Sequence, residues 1–220
     1  MTKKTTLVKM LCSGTGSKVA RINLTGDGWL DPSTVRIVYT LMNNESDAAK
    51  RLRPISGPWS FFRMVRCTAS GAICDDIDYY NRVHEMLEIL TSDPNRNNSE
   101  IEGFGLRWDN KEIYKQWAAD KTPIVTGGKS RTVSFKPLSG ILNQPKYIPL
   151  AYCPLTLELE VVTNPTDAII GIGGSEFTAT NTSIKWSIKD IRVVCDVVTL
   201  DSGLQHDYAQ HVLPGKKFTN

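Results

Sequence analysis

Three aspartates, Asp75, Asp76 and Asp78, crowd into four consecutive positions, a density of carboxylates that a hard cation such as Ca²⁺ could use. An EF-hand loop also needs a glycine and a bidentate glutamate at set offsets, and neither is present. The acidic run is therefore read as the N-terminus of a helix, where one carboxylate caps and all three suit the helix dipole. Glu158 and Glu160 could form a glycosidase pair, but residues two apart on a strand share one face and point to solvent. His206 and His211, five apart, do not share a helical face. With His84 as the remaining histidine, neither a zinc set nor the histidine cluster of a cupin can be built. Gly127-Gly-Lys-Ser130 ends like a P-loop, yet the motif's first glycine would fall at Pro123 and no helix follows. Gly171-Ile-Gly-Gly-Ser175 lacks the GxGxxG spacing and lies between strands. No serine or cysteine sits in a nucleophile elbow. No catalytic, cofactor-binding or metal-binding set emerges, and the chain is read as a non-enzyme.

Composition narrows the remaining classes. The 220 residues suffice for one all-β sandwich with a substantial core. A net charge of +3, with Lys3-Lys4 and Lys216-Lys217 as the densest basic runs, argues against specific nucleic-acid binding. Five cysteines (Cys12, Cys67, Cys74, Cys153 and Cys195) are odd in number, widely spaced and free of CxxC, as expected of reduced, buried thiols in a cytosolic or nuclear compartment. No apolar run approaches the ~20 residues of a membrane span. Trp108 and Trp117 flank a weakly strand-like segment, which could form the stacking platform of a lectin or pack within a loop or against a neighbouring subunit.

The elements that would position any site are mostly strands. Period-2 alternation marks 155–161, 35–41, 184–188 and 133–135, the last stopped by Pro137. The run 191–198 is apolar on both faces and reads as a central strand. Further strands are expected at 6–12, 18–24 and 60–68, and a turn at Gly71. Glycine and proline breakers between short strands predict a sandwich or barrel. One amphipathic helix is expected over 77–90, its apolar face (Tyr79, Tyr80, Val83, Met86, Leu87, Leu90) packed on the core. A short C-terminal helix is expected over 202–213, ended by Pro214-Gly215.

Three blocks carry a resemblance. The first spans 61–90, with Phe62-Arg63, Gly71, Asp75-Asp-Ile77, Tyr80-Asn81 and Glu85-Met-Leu87. The second is Leu138-Ser-Gly-Ile-Leu-Asn-Gln-Pro-Lys-Tyr147-Ile-Pro-Leu, followed by Cys153-Pro-Leu-Thr-Leu-Glu-Leu-Glu160. The third is Val197-Val-Thr-Leu-Asp-Ser-Gly-Leu204, followed by Tyr208, Leu213 and Gly215-Lys216. In this order they resemble the N-terminal jelly roll of the double jelly-roll major capsid proteins of polinton-like viruses, adintoviruses and virophages. The resemblance implies an all-β, eight-stranded antiparallel jelly-roll sandwich over residues 1–200. Residues 201–220 would be a connecting segment toward a second jelly roll absent from this chain. It implies a structural capsid protein that builds capsomers of an icosahedral shell, with other capsid subunits as partners: a homotrimer, or assembly with a second jelly-roll half. The place of action would be the virion, assembled in the host cytoplasm or nucleus, with no cofactor. Trp59, Phe62, Arg63, Asp76, Tyr80, Asn81, Asn143 and Tyr147 are the candidate motif and subunit-interface residues. The alternative is a jelly-roll carbohydrate-binding module.

Overall fold

The computed structural model describes residues 2–9, 18–90, 125–169 and 182–212. Eight principal strands form two antiparallel sheets: β1 (Thr2–Lys9), β2 (Val19–Leu24), β3 (Trp29–Asn43), β5 (Phe62–Ala69), β6 (Ala72–Asp78), β8 (Ser130–Phe135), β10 (Leu155–Val161) and β11 (Trp186–Thr199). Three two-residue strands accompany them: β4 (Arg51–Leu52), β7 (Val125–Thr126) and β9 (Ile148–Pro149). The first sheet has the order β1-β11-β3-β8, with β9 also on β3; the second has the order β2-β10-β5-β6.

The pairings reveal how the chain is wound. Among the principal strands the first pairs with the last (β1·β11), the second with the seventh (β2·β10), the third with the sixth (β3·β8) and the fourth with the fifth (β5·β6). A single long hairpin of four strand pairs has thus been rolled up. It is closed by the pairs β11·β3 and β10·β5. That winding is the jelly roll.

Alternation explains the two-layer core. The inward residues Ile22, Val35, Ile37, Tyr39, Leu41, Val133, Leu157, Leu159 and Val193 are buried between the sheets, while their sequence neighbours face outward. Truncating one such large side chain to alanine costs about 2–5 kcal/mol. The β5–β6 hairpin turns through Ser70 (φ 49°) and Gly71 (φ 84°), two positive values in succession, as a type I′ turn requires. Glycine suits the second position because L side chains are disfavoured there.

Several expectations need correction. The runs 184–188 and 191–198 are one strand, β11, kinked where Asp190 takes φ 53° and the register on β3 shifts between Lys189 and Arg192. That bulge inserts one extra residue and makes one strand read as two. β11 is central, as its two-sided apolar pattern predicts. The strand expected from residue 60 begins at Phe62, because Pro58–Phe61 forms a 3₁₀ turn first. The helix is shorter than expected: α1 spans Tyr80–Glu88, and 72–78 is strand β6. Its N-cap is Tyr79 in the left-handed region with no side-chain cap, so none of the three aspartates caps it. Its apolar face packs on the core only at its start, where Tyr80 is buried and Val83 half-buried, whereas Met86 is 67% and Leu90 81% exposed. The C-terminal helix α2 spans Ser202–Val212. The 171–175 glycines, Trp108, Trp117 and Cys12 lie outside the described residues.

Candidate assembly surface

The expected motif residues fall into three groups. Trp59, Phe62 and Tyr80 lie in the core, each fully buried, so they act as packing residues and present nothing to a neighbour. Gly57 lets the Trp59 ring lie flat against the chain, since a Cβ there would sit 2.4 Å from it. The indole stacks on His84 of α1 with centroids 4.0 Å apart and planes 14° from parallel. Phe62 meets Tyr39 edge-on at 5.5 Å and Phe135 at 5.6 Å. The Tyr39 hydroxyl donates to the Pro58 carbonyl at 2.6 Å, and burial pushes that phenol's pKa well up. Tyr80 accepts a hydrogen bond from the Leu138 amide at 2.8 Å, and burial again raises its pKa. This aromatic cluster pins the first turns of α1 to the sandwich. The end of the helix carries Met86, Leu87, Ile89 and Leu90 into solvent.

The second group closes a loop. Asp75 accepts from the Ser139 hydroxyl and from the Ile141 amide (3.3 Å), which ties the 137–147 segment to β6. Asn143 donates to the Ser139 carbonyl at 2.8 Å, and the loop's exposed edge carries Tyr147. Asn81 is half-buried and its side chain accepts from the Arg82 amide.

The third group is electrostatic. On the outer face of the second sheet Arg63 grips Glu160 with two nitrogens, at 3.0 and 2.7 Å, and Asp78 at 2.6 Å. Arg66 bonds Asp76 at 2.9 Å and lies 3.7 Å from Glu158, which also meets Arg21 at 2.6 Å. Hydrogen bonding from Arg63 lowers the Glu160 pKa, and the carboxylates raise those of both arginines. Glu158 and Glu160 thus share the outward face, as expected, but each is clamped by arginine. Glu160, whose carboxylate Arg63 holds ionised, is a poor general acid. The ladder runs across four strands and locks their register on that face. Among the described residues no group of three or more His, Cys, Asp or Glu could hold a metal. No helix there is long and apolar enough to cross a membrane.

Sequence reasoning missed a further cluster. Trp29 at the start of β3, Tyr152 after β9 and Tyr208 on α2 meet at one end of the sandwich, with Trp29 and Tyr208 edge-on at 4.6 Å. Their separation along the chain leaves no local pattern to detect.

Sheet order and strand pairing together define an eight-stranded jelly roll among the described residues. The fold is that of the PBCV-1 virus capsid, matched over 94% of this chain and 44% of that one at 14% identity and a TM-score of 0.53. It is also found in the cryo-EM structure of the Sputnik virophage, matched over 91% of this chain and 48% of that one at 12% identity and a TM-score of 0.56. The crystal structure of the mavirus major capsid protein is matched at 10% identity and a TM-score of 0.49, over 91% of this chain and 47% of that one. This chain spans under half the length of each of these structures. No protein-family model matches the sequence, and no curated protein matches it.

Proposed function

We propose that this chain is a structural capsid protein, the first jelly-roll half of a major capsid protein that builds capsomers of an icosahedral shell. Residues 1–200 form the sandwich, and 201–220 lead toward a second jelly roll. The observation that carries this reading is the complete jelly-roll winding, aligned over nearly the whole chain with under half of the PBCV-1 capsid and Sputnik chains. The surface chemistry supports it. Where carboxylates gather they are held by arginines, an arrangement suited to rigidity rather than to turnover.

The partners are other capsid subunits, in a homotrimer or with a second jelly-roll polypeptide, and the place of action is the virion. Exposed apolar side chains on α1 and Tyr147 on the 137–147 loop are the surfaces this reading assigns to subunit contact. Arg63 and Asp76 serve there as register locks, and Asn81 and Asn143 shape the loops. Closed symmetry limits the growth of such an assembly. The test is light scattering coupled to size exclusion, on the chain alone and with a second jelly-roll polypeptide. A discrete closed oligomer in either sample supports the reading. A strict monomer in both, up to high concentration, removes it.

A further inference from the structure

We propose that the aromatic pocket between α2 and the start of β3 binds an organic cation, an alkylammonium or guanidinium group. The pocket is a cavity of about 220 Å³ whose lining includes Asp27, Trp29, Pro149, Tyr152, Gln205 and Tyr208. That volume is below the roughly 300–1,000 Å³ of ordinary cofactor sites, and suits a single headgroup. Trp29 and Tyr208 meet edge-on, their planes 77° apart, Tyr152 packs beside Tyr208 at 5.7 Å, and all three residues border the cavity. Ring faces carry negative quadrupole potential and attract a cation. Asp27 adds a carboxylate at the exposed edge, with no hydrogen bond or ion pair to any described residue. That carboxylate attracts a cation and repels an anion.

The floor is built to stay in place. A Cβ on Gly28 would lie 2.1 Å from Val197 Cγ1, so only glycine lets this strand end sit against β11. The Gly28 carbonyl accepts from the Leu150 amide at 3.1 Å, which fixes the segment carrying Tyr152. The cation has two sources, a lysine or arginine side chain of another protein chain or a free small amine. The site does not depend on the shell-building reading.

The test titrates the full chain with tetramethylammonium chloride, following tryptophan fluorescence with Trp29→Phe as the assignment control and sodium chloride as the salt control. Parallel arms use N-acetyl-lysine-N-methylamide, choline and the neutral isostere 3,3-dimethyl-1-butanol. Saturable binding with a Kd on the order of millimolar, about tenfold weaker for the neutral isostere and about tenfold weaker in Asp27→Asn, is expected. Tyr208→Ala abolishes the response, and near-ultraviolet circular dichroism checks that each variant is folded. Tighter binding of the lysine derivative than of choline identifies a protein side chain as the source; the reverse order identifies a free amine. The proposal is overturned by an absence of saturation up to about 50 mM, by equal binding of the neutral isostere, or by an unchanged Kd in folded Asp27→Asn.

Discussion

Asn43 offers the sharpest single test of the packing. It is 1% exposed at the end of β3, and its amide uses its full hydrogen-bonding capacity. Nδ2 donates to the Lys50 carbonyl at 3.1 Å and the Val125 carbonyl at 2.8 Å. Oδ1 accepts from the Glu45 amide at 3.2 Å and the Ser183 hydroxyl at 2.7 Å. One side chain thereby fastens β3 to the short β4–β7 ribbon and to the segment leading into β11. Asn43→Ala removes four bonds worth about 1 kcal/mol each and strands their partners, for a total loss of roughly 3–5 kcal/mol. In a domain of this size that lowers Tm by about 6–20 °C. Asn43→Asp should be worse at neutral pH, because a buried carboxylate would face two carbonyl oxygens. Its folded-state pKa would be raised above the unfolded value near ~4, so its deficit should shrink as pH falls toward 4. Thermal unfolding by circular dichroism at pH 7 and pH 4.5, with the exposed Asn44→Ala as control, measures both effects. A loss below about 1 kcal/mol for Asn43→Ala would refute the reasoning, since the hub would then be dispensable.

Three further outcomes follow from other parts of the fold. Burial pushes the thiols of Cys67 and Cys195 up to about 12 and about 11, so the folded state holds their protons longer than the unfolded chain does. Their contribution to stability is complete below the unfolded value near ~9 and is lost as pH rises toward 11–12. Urea titrations should therefore show falling stability from pH 9 to 11, and Cys67→Ser with Cys195→Ser should flatten that fall. Gly71→Val places a β-branched residue at φ 84° and should cost about 1–2 kcal/mol, measured by denaturant midpoint, while Gly71→Asn costs less. Leu90→Ser should change Tm by no more than about 1–2 °C, because the side chain is 81% exposed; a large drop would mean that the helix end is part of the core.

Strands were the most legible feature. The alternation of Leu155, Leu157 and Leu159 with Thr156, Glu158 and Glu160 predicts β10 and its two faces, because a strand has one strong periodicity and one buried side. Where two elements adjoin without a break, legibility fell. An extended piece after Gly71 is legible, but with no proline or glycine between it and α1 the helix is read as starting at Ile77, whereas β6 runs to Asp78 and α1 starts at Tyr80. The aspartates looked like caps because a helix N-terminus favours acid, yet two of them pair with arginines across the sheet. Such pairing partners lie ten and fifteen residues away on another strand. Composition could not show that Trp59 and Phe62 would be buried, since large aromatics serve cores and interfaces alike. The Trp29–Tyr152–Tyr208 pocket is assembled from three distant segments, which only the winding of the sheets brings together.

The most direct measurement is electron cryomicroscopy of the material formed when this chain is combined with a second jelly-roll polypeptide. The account predicts a closed capsomer in which this sandwich, with β1-β11-β3-β8 facing β2-β10-β5-β6, stands beside a second jelly roll. Isolated sandwiches with no ordered neighbour, or a closed particle whose density holds no such pair of sheets, would contradict it.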